Sequence, residues 1–172
     1  MTNDKHWFVA YVRSCREKKA AEKLDALGYE YYLPVQRVVR QWSDRRKIVD
    51  RLVIPRVIFI RCSEIDRRRS LELVSDIYRY ITTKGPYTAS VVRDSEMEVF
   101  RYMVEKGNRS VYVTDASFAP GDRVRVISGP LEGLECELVS IAGKRCLAVH
   151  LGDFGTATMD LDIDTIKKIT ET

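Results

Sequence analysis

Apolar and polar positions near the start of the chain change from strand-like to helix-like spacing. The segment HWFVAYVR (6–13) is a nearly continuous apolar and aromatic run, which is typical of a central strand. Ala20, Leu24 and Leu27 then recur at the spacing of one helix face, and Gly28 is a favourable residue for ending that helix. The pattern therefore predicts a strand followed by an amphipathic helix.

Two long strand-like runs come next. Residues 29–42 and 45–62 are rich in Val, Ile and Tyr, and Ser43-Asp44 between them favours a turn. We therefore expect a hairpin arm. Its tip carries four cations, which are Arg40, Arg45, Arg46 and Lys47.

The next part of the chain predicts two more helices and one more strand. A helix is expected over 65–76 and a strand over 77–83, and a last helix opens at Ser95-x-x-Glu98 and ends at Gly107. The order β-α-β-β-α-β-α indicates an α+β fold, an α/β sandwich in which helices pack on a small, mainly antiparallel sheet.

Helical spacing disappears after residue 107. Residues 108–118 are polar and aperiodic, so we predict a linker there. From 119 to 172, short alternating runs are separated by turn residues, which predicts a small five-stranded β-barrel. Its expected strands are 123–127, 134–141, 145–151, 155–161 and 164–169.

Charge is unevenly distributed along the chain. Residues 1–115 hold 23 Lys and Arg against 16 Asp and Glu, whereas residues 116–172 hold 6 against 9. A cationic front part favours a polyanion such as nucleic acid, or an acidic protein face. We therefore expect two domains with different partners.

Catalytic, metal and cofactor patterns are missing from the sequence. It has no nucleophile elbow, phosphate-binding glycine loop or dinucleotide loop. The four cysteines form no C-x-x-C pair, and the two histidines match no zinc-ligand spacing. With no secretory signal and no membrane-spanning run, the sequence predicts a cytoplasmic, monomeric, non-enzymatic protein with reduced, mostly buried thiols and no cofactor.

Both halves of the chain resemble the NusG family of transcription elongation factors. In the front half the resemblance rests on WFVAYVR (7–13), YLPV (32–35) and LVIPRVIFIRC (52–62). In the back half it rests on PGDRVRVISGPLEGLECELV (120–139). Pro55-Arg56-Val57 stands where general members usually have Pro-Gly-Tyr, so the chain is most similar to the specialised RfaH/UpxY-type paralogues.

This resemblance implies a domain organisation and a function. It implies an NGN domain at 1–107, a linker at 108–118 and an SH3-like KOW β-barrel at 119–172. The NGN domain is expected to bind elongating RNA polymerase and to promote read-through of long operons, often those for surface polysaccharides. The KOW domain is expected to bind ribosomal protein S10 or Rho, with Gly121, Gly129 and Gly133 as its turn residues.

The resemblance also implies particular binding residues. The expected polymerase contacts are Tyr11, Val57, Ile58, Phe59 and Tyr80. Strand aromatics usually lie in the core, and this alternative stays open for Phe59 and Tyr80.

Two groups of cations are expected to contact nucleic acid, with a solvated surface as the alternative for each. Arg13, Arg16, Lys18 and Lys19 would touch the non-template DNA strand of a paused complex, and the hairpin-tip cations form the second group. Two other functions remain as alternatives, a general NusG factor and a free-standing KOW RNA-binding protein. Docking or refolding of the KOW domain against the NGN domain also stays open.

Overall fold

A computed structural model describes residues 4–82, 88–116, 118, 121–161 and 165–170. In chain order its elements are β1 (His6–Val12), α1 (Glu17–Ala26), β2 (Glu30–Tyr32), β3 (Val35–Gln41), β4 (Arg46–Leu52), β5 (Val57–Cys62), α2 (Glu64–Leu73), β6 (Ile77–Tyr80), β7 (Val91–Val92), α3 (Asp94–Lys106), β8 (Val111–Thr114), β9 (Asp122–Val126), β10 (Glu135–Ile141), β11 (Lys144–His150), β12 (Thr156–Asp160) and β13 (Ile166–Lys168).

The chain divides into two compact units. The first comprises Met1–Pro34, Ile54–Met97 and Leu151–Phe154, and the second comprises Val35–Val53, Glu98–His150 and Gly155–Thr172. The units therefore do not follow a single cut in the sequence, since the hairpin arm belongs with the C-terminal strands. The predicted boundaries at 107 and 118 remain a prediction about domains.

Strand β1 is the centre of an antiparallel sheet in the first unit. β5 pairs along one side of β1, β6 and β7 pair with successive parts of its other side, and β2 pairs with β5. A central strand is covered on both faces, which explains the apolar run at 6–13. Phe8 and Ala10 face one side and Trp7 and Val9 the other, and all four are buried.

One face of this sheet packs against α1 and α2. Ala20 and Leu24 of α1 are fully buried there, together with Ile58 and Ile60 of β5. Leu27, expected on the same helix face, is instead 45% exposed. Helix α1 ends before it, and Gly28 with φ 77° turns the chain away.

Helix α3 begins one residue before the predicted capping pair. Asp94 is its first residue, and the Glu96 carboxylate accepts a hydrogen bond from the Arg93 backbone N–H at 3.0 Å. Glu96, rather than Glu98, therefore satisfies the free N–H at the helix start. Met97, Phe100 and Val104 of this helix are all buried.

Each long strand-like run of the sequence forms two strands. The first run breaks around Pro34 into β2 and β3, and the second breaks at 53–56 into β4 and β5. β3 and β4 pair as a separate two-stranded sheet, from Val35↔Leu52 to Gln41↔Arg46. The predicted hairpin arm is therefore confirmed.

The second unit also contains a six-stranded antiparallel sheet, in the order β13-β9-β10-β11-β12-β8. Strands β9 to β13 match the five predicted strands within about two residues at each end, although residues 162–164 lie outside the described part. The sixth strand, β8, lies within the predicted linker and pairs with β12. The mixed α/β fold with a KOW-like strand module is thus as predicted, with one strand more.

Two turn glycines of this sheet have the conformation expected of them, and the third does not. Gly129 and Gly133 have φ of 88° and 89°, where L-residues are strained. Gly121 is needed for a different reason, because a Cβ there would lie 1.7 Å from the Leu138 carbonyl oxygen. Close approach of two backbones, rather than a positive φ, requires glycine at 121.

Three of the four cysteines are buried thiols, as predicted, and Cys15 is exposed. Burial raises the pKa of the Cys62 and Cys136 thiols to about 12, so both stay protonated at neutral pH. Within the described ranges, no three His, Cys, Asp or Glu side chains are placed to hold a metal ion. No helix of the described part is long and apolar enough to cross a membrane.

Candidate functional site

Tyr11 lies at the centre of a solvent-facing cluster of two tyrosines and two arginines in the first unit. We call Tyr11, Arg56, Tyr78 and Arg79 the aromatic–arginine surface. The rings of Tyr11 and Tyr78 stack, with centroids 6.0 Å apart and planes at 23°. The Arg79 Cζ lies 4.4 Å from the centroid of the Tyr11 ring, and the Arg56 Nη2 lies 3.5 Å from the Tyr78 hydroxyl.

Sheet register brings these residues together from distant positions in the sequence. Tyr11 of β1 is directly opposite Val57 of β5 on one side and Arg79 of β6 on the other. Tyr78 and Arg79 are exposed, whereas Tyr11 is half-buried. Tyr11, Tyr78 and Arg79 are therefore held on paired strands, and Arg56 lies on the turn just before β5.

Arg56 has an unusual backbone conformation at this surface. Its φ is 65°, a left-handed value that non-glycine residues adopt only at a cost. The buried Glu17 carboxylate accepts a hydrogen bond from the Arg56 N–H at 3.0 Å, and the Arg56 carbonyl accepts one from Val12 at 2.9 Å. These bonds hold a strained residue in place, so its side chain is directed from a fixed turn.

Of the other predicted polymerase contacts, Val57 and Phe59 share the sheet face of Tyr11 but are buried. The pairs Tyr11↔Val57 and Val9↔Phe59 place them on that face. Val57 is 1% exposed and Phe59 is 0% exposed. Direct contact is therefore corrected to a core role, in which they support the strands that carry Tyr11.

Ile58 and Tyr80 lie on the opposite face of the sheet. Both pair with Ala10 and belong to the core beneath α1 and α2. Because strand side chains alternate, these two cannot meet a partner that contacts Tyr11. Ile58 and Tyr80 are therefore core residues, which for Tyr80 is the alternative left open from the sequence.

Tyr80 is held by a polar network inside that core. Its hydroxyl lies 2.6 Å from the Ser70 Oγ, and the Arg67 guanidinium lies over the rings of Tyr80 and Phe8, at 5.2 and 5.6 Å. Arg67 pairs with Glu64 and is only 9% exposed, although it begins a run of three arginines at 67–69. Burial raises the pKa of Tyr80, so the phenol remains neutral.

The cations predicted to contact non-template DNA surround the start of α1. Arg13 donates from Nε to the Ser75 carbonyl at 3.2 Å, and the Arg16 Nε lies 3.9 Å from a carboxylate oxygen of Asp76. Lys18 and Lys19 are exposed. Arg16 and Lys19 therefore lie within range of the Asp76 charge, Arg13 and Arg16 are partly engaged by the chain itself, and Lys18 is exposed in the first turn of the same helix.

Asp76 neutralises part of this charge. The Lys23 Nζ donates to its carboxylate at 2.8 Å, and Asp76 is 6% exposed. This hydrogen bond is the main reason that the pKa of Asp76 lies below its usual value. The nearby positive charges of Lys23, Arg16 and Lys19 lower it further. The carboxylate therefore stays ionised and orders the basic side chains around it.

The hairpin arm is anchored at its base by one buried side chain. The Gln36 amide nitrogen donates to the carbonyls of Val104 and Arg109, at 3.4 and 3.1 Å. Its oxygen accepts from the Val111 N–H at 2.9 Å and from the Arg51 Nη2 at 3.1 Å. Gln36 thus joins the arm to the end of α3 and to β8, all within the second unit.

At its other end, the arm exposes the predicted cations. Arg40, Arg45, Arg46 and Lys47 are all exposed, and Arg46 donates to Gln41 at 2.9 Å. Trp42 beside them is 54% exposed. The hairpin tip is therefore a cationic surface with an aromatic side chain.

Sequence patterns found only some of these functional candidates. Tyr11 and the hairpin cations followed from the resemblance and from charge, but Arg56, Tyr78, Arg79 and Trp42 were missed. Tyr78 and Arg79 join the surface only through strand register, which local periodicity does not reveal. The Pro-Arg-Val departure at 55–57 was the one available signal for Arg56.

The chain thus combines an antiparallel sheet packed with helices and a strand-rich module with a KOW-like pattern, and it exposes one aromatic–arginine surface and one cationic hairpin tip. The family model described as "Transcription termination factor nusG" matches residues 5–101. This is more than half of the chain, which therefore belongs to the NusG family of transcription elongation and termination factors. The family consists of transcription factors rather than enzymes, and its members bind RNA polymerase.

Solved structures also show similarity along almost the whole chain. A structure titled "Domain interaction in Thermotoga maritima NusG" is 21% identical, with a TM-score of 0.45, and the match covers 97% of this chain and 98% of that one.

Two structures of the MjSpt4:Spt5 complex, in conformations A and B, are 11% and 13% identical, with TM-scores of 0.31 and 0.32. Their matches cover 96% of this chain in both cases, and 99% and 97% of theirs. A search of curated proteins found no significant match. Family membership therefore rests on the family model.

Proposed function

We propose that this chain is a specialised NusG-like antitermination and elongation factor, which binds elongating RNA polymerase through the aromatic–arginine surface. The factor promotes read-through of long operons, including those for surface polysaccharide synthesis. The observation that carries the proposal is the stacked Tyr11–Tyr78 pair between two arginines, in a chain that belongs to the NusG family.

The chemistry of this surface suits a protein partner. Tyrosine and arginine are among the residue types enriched at interface hot spots, and here they are positioned on strands and on one strained turn before binding. Neither Arg56 nor Arg79 forms an ion pair with a carboxylate within the described ranges. A partner that supplies carboxylates and an apolar ridge would therefore complement the surface.

Arg56 supports the specialised rather than the general role. General members usually have glycine at this place, and this chain keeps a left-handed backbone while adding a long cation beside Tyr78. A strained, charged residue in place of glycine changes the contact surface without changing the turn. We propose that it adapts the factor to its own subset of transcription complexes.

The other expected contacts belong to the same proposal. Arg13, Arg16, Lys18 and Lys19 contact the non-template DNA strand, and the hairpin-tip cations contact nucleic acid near the polymerase. The KOW module binds a protein such as ribosomal protein S10 or Rho, which its excess of acidic residues over basic ones favours over nucleic acid.

Replacing Tyr11 tests the polymerase contact. Tyr11→Ala should weaken binding to transcribing polymerase by roughly 30-fold, about 2 kcal/mol, because it removes the ring that both Tyr78 and Arg79 contact. Affinity is measured by titrating assembled elongation complexes with labelled protein. Circular dichroism reports whether the fold is intact.

Tyr112→Ala is the matched control. Tyr112 is 61% exposed and also lies under an arginine, with the Arg51 Cζ 5.1 Å from its ring centroid. Tyr112→Ala should leave the affinity for elongation complexes unchanged. Equal affinity of the Tyr11 variant and the native chain would refute the assignment.

Occupancy along the genome separates the specialised from the general role. Chromatin mapping should find the protein on a small set of long transcription units. Occupancy of most transcribed genes would instead support a general NusG factor, and association with RNA after polymerase is removed would support a free-standing RNA-binding protein.

A further inference from the structure

One face of the hairpin tip combines an exposed indole with three cations. Paired residues of an antiparallel ladder share a face, so Arg40 and Lys47 lie together. Trp42 is two residues beyond Arg40 and therefore on the same face. Its backbone N–H donates to the Arg45 carbonyl at 2.8 Å across the turn. We call Arg40, Trp42, Arg45 and Lys47 the tip face.

The cations of the tip face have no acidic partner. Two like charges directly opposite each other destabilise a hairpin. Within the described ranges, the side chains of Arg40, Arg45 and Lys47 form no hydrogen bond or ion pair. The chain therefore maintains a repulsive pair at an exposed position, which an external polyanion would relieve.

The opposite face of the arm differs. There Arg37 lies 3.9 Å from the Asp50 carboxylate, and Arg46 donates to Gln41. Val39 and Ile48 lie between these pairs and are about two-thirds exposed. Among the described cations of β3, β4 and the turn between them, those whose side chains have no partner at all therefore lie on the tip face.

Trp42 gives the tip face a second kind of contact. It is 54% exposed, whereas the other tryptophan of the chain, Trp7, is 4% exposed. An indole flanked by cations is the combination that binds unpaired nucleic acid, because bases stack on the ring while phosphates meet the charges.

A groove next to β3 extends this surface toward the base of the arm. It has a volume of about 360 Å³ and is lined by Arg37, Val38, Val39 and the segment 107–110. The groove lies within the size range of small-ligand sites. Val38 shares the face of Arg40, so a strand that leaves Trp42 along β3 would reach this groove.

We infer that the tip face binds an unpaired nucleic-acid strand, with one base stacked on Trp42 and the neighbouring phosphates on Arg40, Arg45 and Lys47. A duplex keeps its base faces inside its own stack and would engage only the cations. An acidic protein would likewise leave the indole without a base. The inference rests on the proposal that the hairpin cations bind nucleic acid, and it does not depend on Tyr11.

Fluorescence of Trp42 reports the stacking directly. In a Trp7→Phe variant, Trp42 is the only tryptophan. Oligo(dT) and oligo(U) of about twelve nucleotides should quench its emission, whereas a duplex of the same length should not. The two single strands separate DNA from RNA as the preferred source of the same chemistry.

Anisotropy of the labelled single strands measures affinity with the native chain, and so does not depend on the Trp7→Phe variant. Trp42→Ala should weaken binding at least about fivefold, and Trp42→Phe should retain most of it. The double variant Arg40→Gln, Lys47→Gln should weaken binding and make it less sensitive to salt between about 50 and 200 mM. Ile48→Ala, on the opposite face, is the control and should have no effect.

Each other outcome has a definite meaning. If Trp42→Ala binds normally while the double variant does not, stacking is wrong and the hairpin contacts phosphates alone. If neither variant loses affinity, the nucleic-acid role proposed for the hairpin fails as well. The inference would also be overturned if duplex quenched Trp42 as strongly as single strands do. The same holds if polyglutamate displaced the labelled single strand as well as an unlabelled single strand does.

Discussion

Individual side chains in this molecule depend on partners from other elements of the fold. Arg79 of β6 lies over the Tyr11 ring, and Glu17 accepts a hydrogen bond from the Arg56 backbone N–H. Lys23 donates to the Asp76 carboxylate and lowers its pKa. Each pairing joins residues well separated in sequence. At this scale the candidate site is a consequence of strand register.

Asp76 should make stability depend on acidity. Its pKa is lowered in the folded chain, so the unfolded chain binds the proton more readily and the stabilisation is lost as pH falls through the folded pKa. Asp76→Asn should therefore reduce the free energy of unfolding at pH 7, and this difference from the native chain should shrink below about pH 4. Urea unfolding at pH 7, 5 and 3 measures it.

Asp50→Asn is the control for this experiment. Asp50 also faces an arginine, but its side chain is 58% exposed and 3.9 Å from Arg37, so its removal should change stability little at any of the three pH values. A constant difference between native and Asp76→Asn chains across the pH range would contradict the assignment.

At the scale of elements, local patterns predicted those whose partners are near in sequence. The five C-terminal strands are short runs that follow one another through segments with turn residues, so their positions were predictable. Strand β8 was missed because its four residues, Val-Tyr-Val-Thr, lie between polar segments and form a strand only by pairing with β12, more than 40 residues away. Val111 is nevertheless fully buried.

Candidate-site residues follow the same rule. Tyr11 was predictable because its motif lies on a strand with a distinctive sequence. Burial of Phe59 was the alternative left open from the sequence, whereas burial of Val57 was not predicted, since it depends on what covers its face of β5. Alternation assigns faces, but it does not say which face is covered.

Two glycines of the C-terminal sheet should respond differently to alanine. Gly121→Ala places a Cβ 1.7 Å from the Leu138 carbonyl oxygen, so β9 and β10 must separate. Gly133→Ala meets no atom within 4 Å and adds only the strain of a positive φ, about 1 kcal/mol. Thermal unfolding should therefore show a clearly larger loss for Gly121→Ala. A loss equal to or smaller than that of Gly133→Ala would contradict the packing described.

At the scale of the whole molecule, each predicted domain has one segment that belongs to the other compact unit. The hairpin arm belongs with the C-terminal strands, and Leu151–Phe154 belongs with the first unit, where the Asp153 N–H donates to the buried Ser90 Oγ at 3.0 Å. The sequence predicted two modules but could not predict this arrangement, because it depends on hydrogen bonds between residues that are distant in the sequence.

Removing the C-terminal part should therefore loosen the hairpin arm. A fragment of residues 1–107 lacks Arg109 and Val111, two of the partners of Gln36. Amide hydrogen exchange in β3 and β4 should be faster in the fragment than in the whole chain, while exchange in β1 and β5 changes less. Gln36→Leu in the whole chain should reproduce part of the effect. Identical protection of the arm in both would show that this anchor is unimportant.

Site-specific photocrosslinking identifies the macromolecule that the aromatic–arginine surface contacts. A photoreactive phenylalanine at position 78, next to Tyr11 and 42% exposed, is introduced into the full chain and irradiated with assembled elongation complexes. The account predicts adducts to a protein subunit of RNA polymerase from position 78 and none from the control position 112. Adducts to RNA alone, or equal protein adducts from both positions, would contradict it.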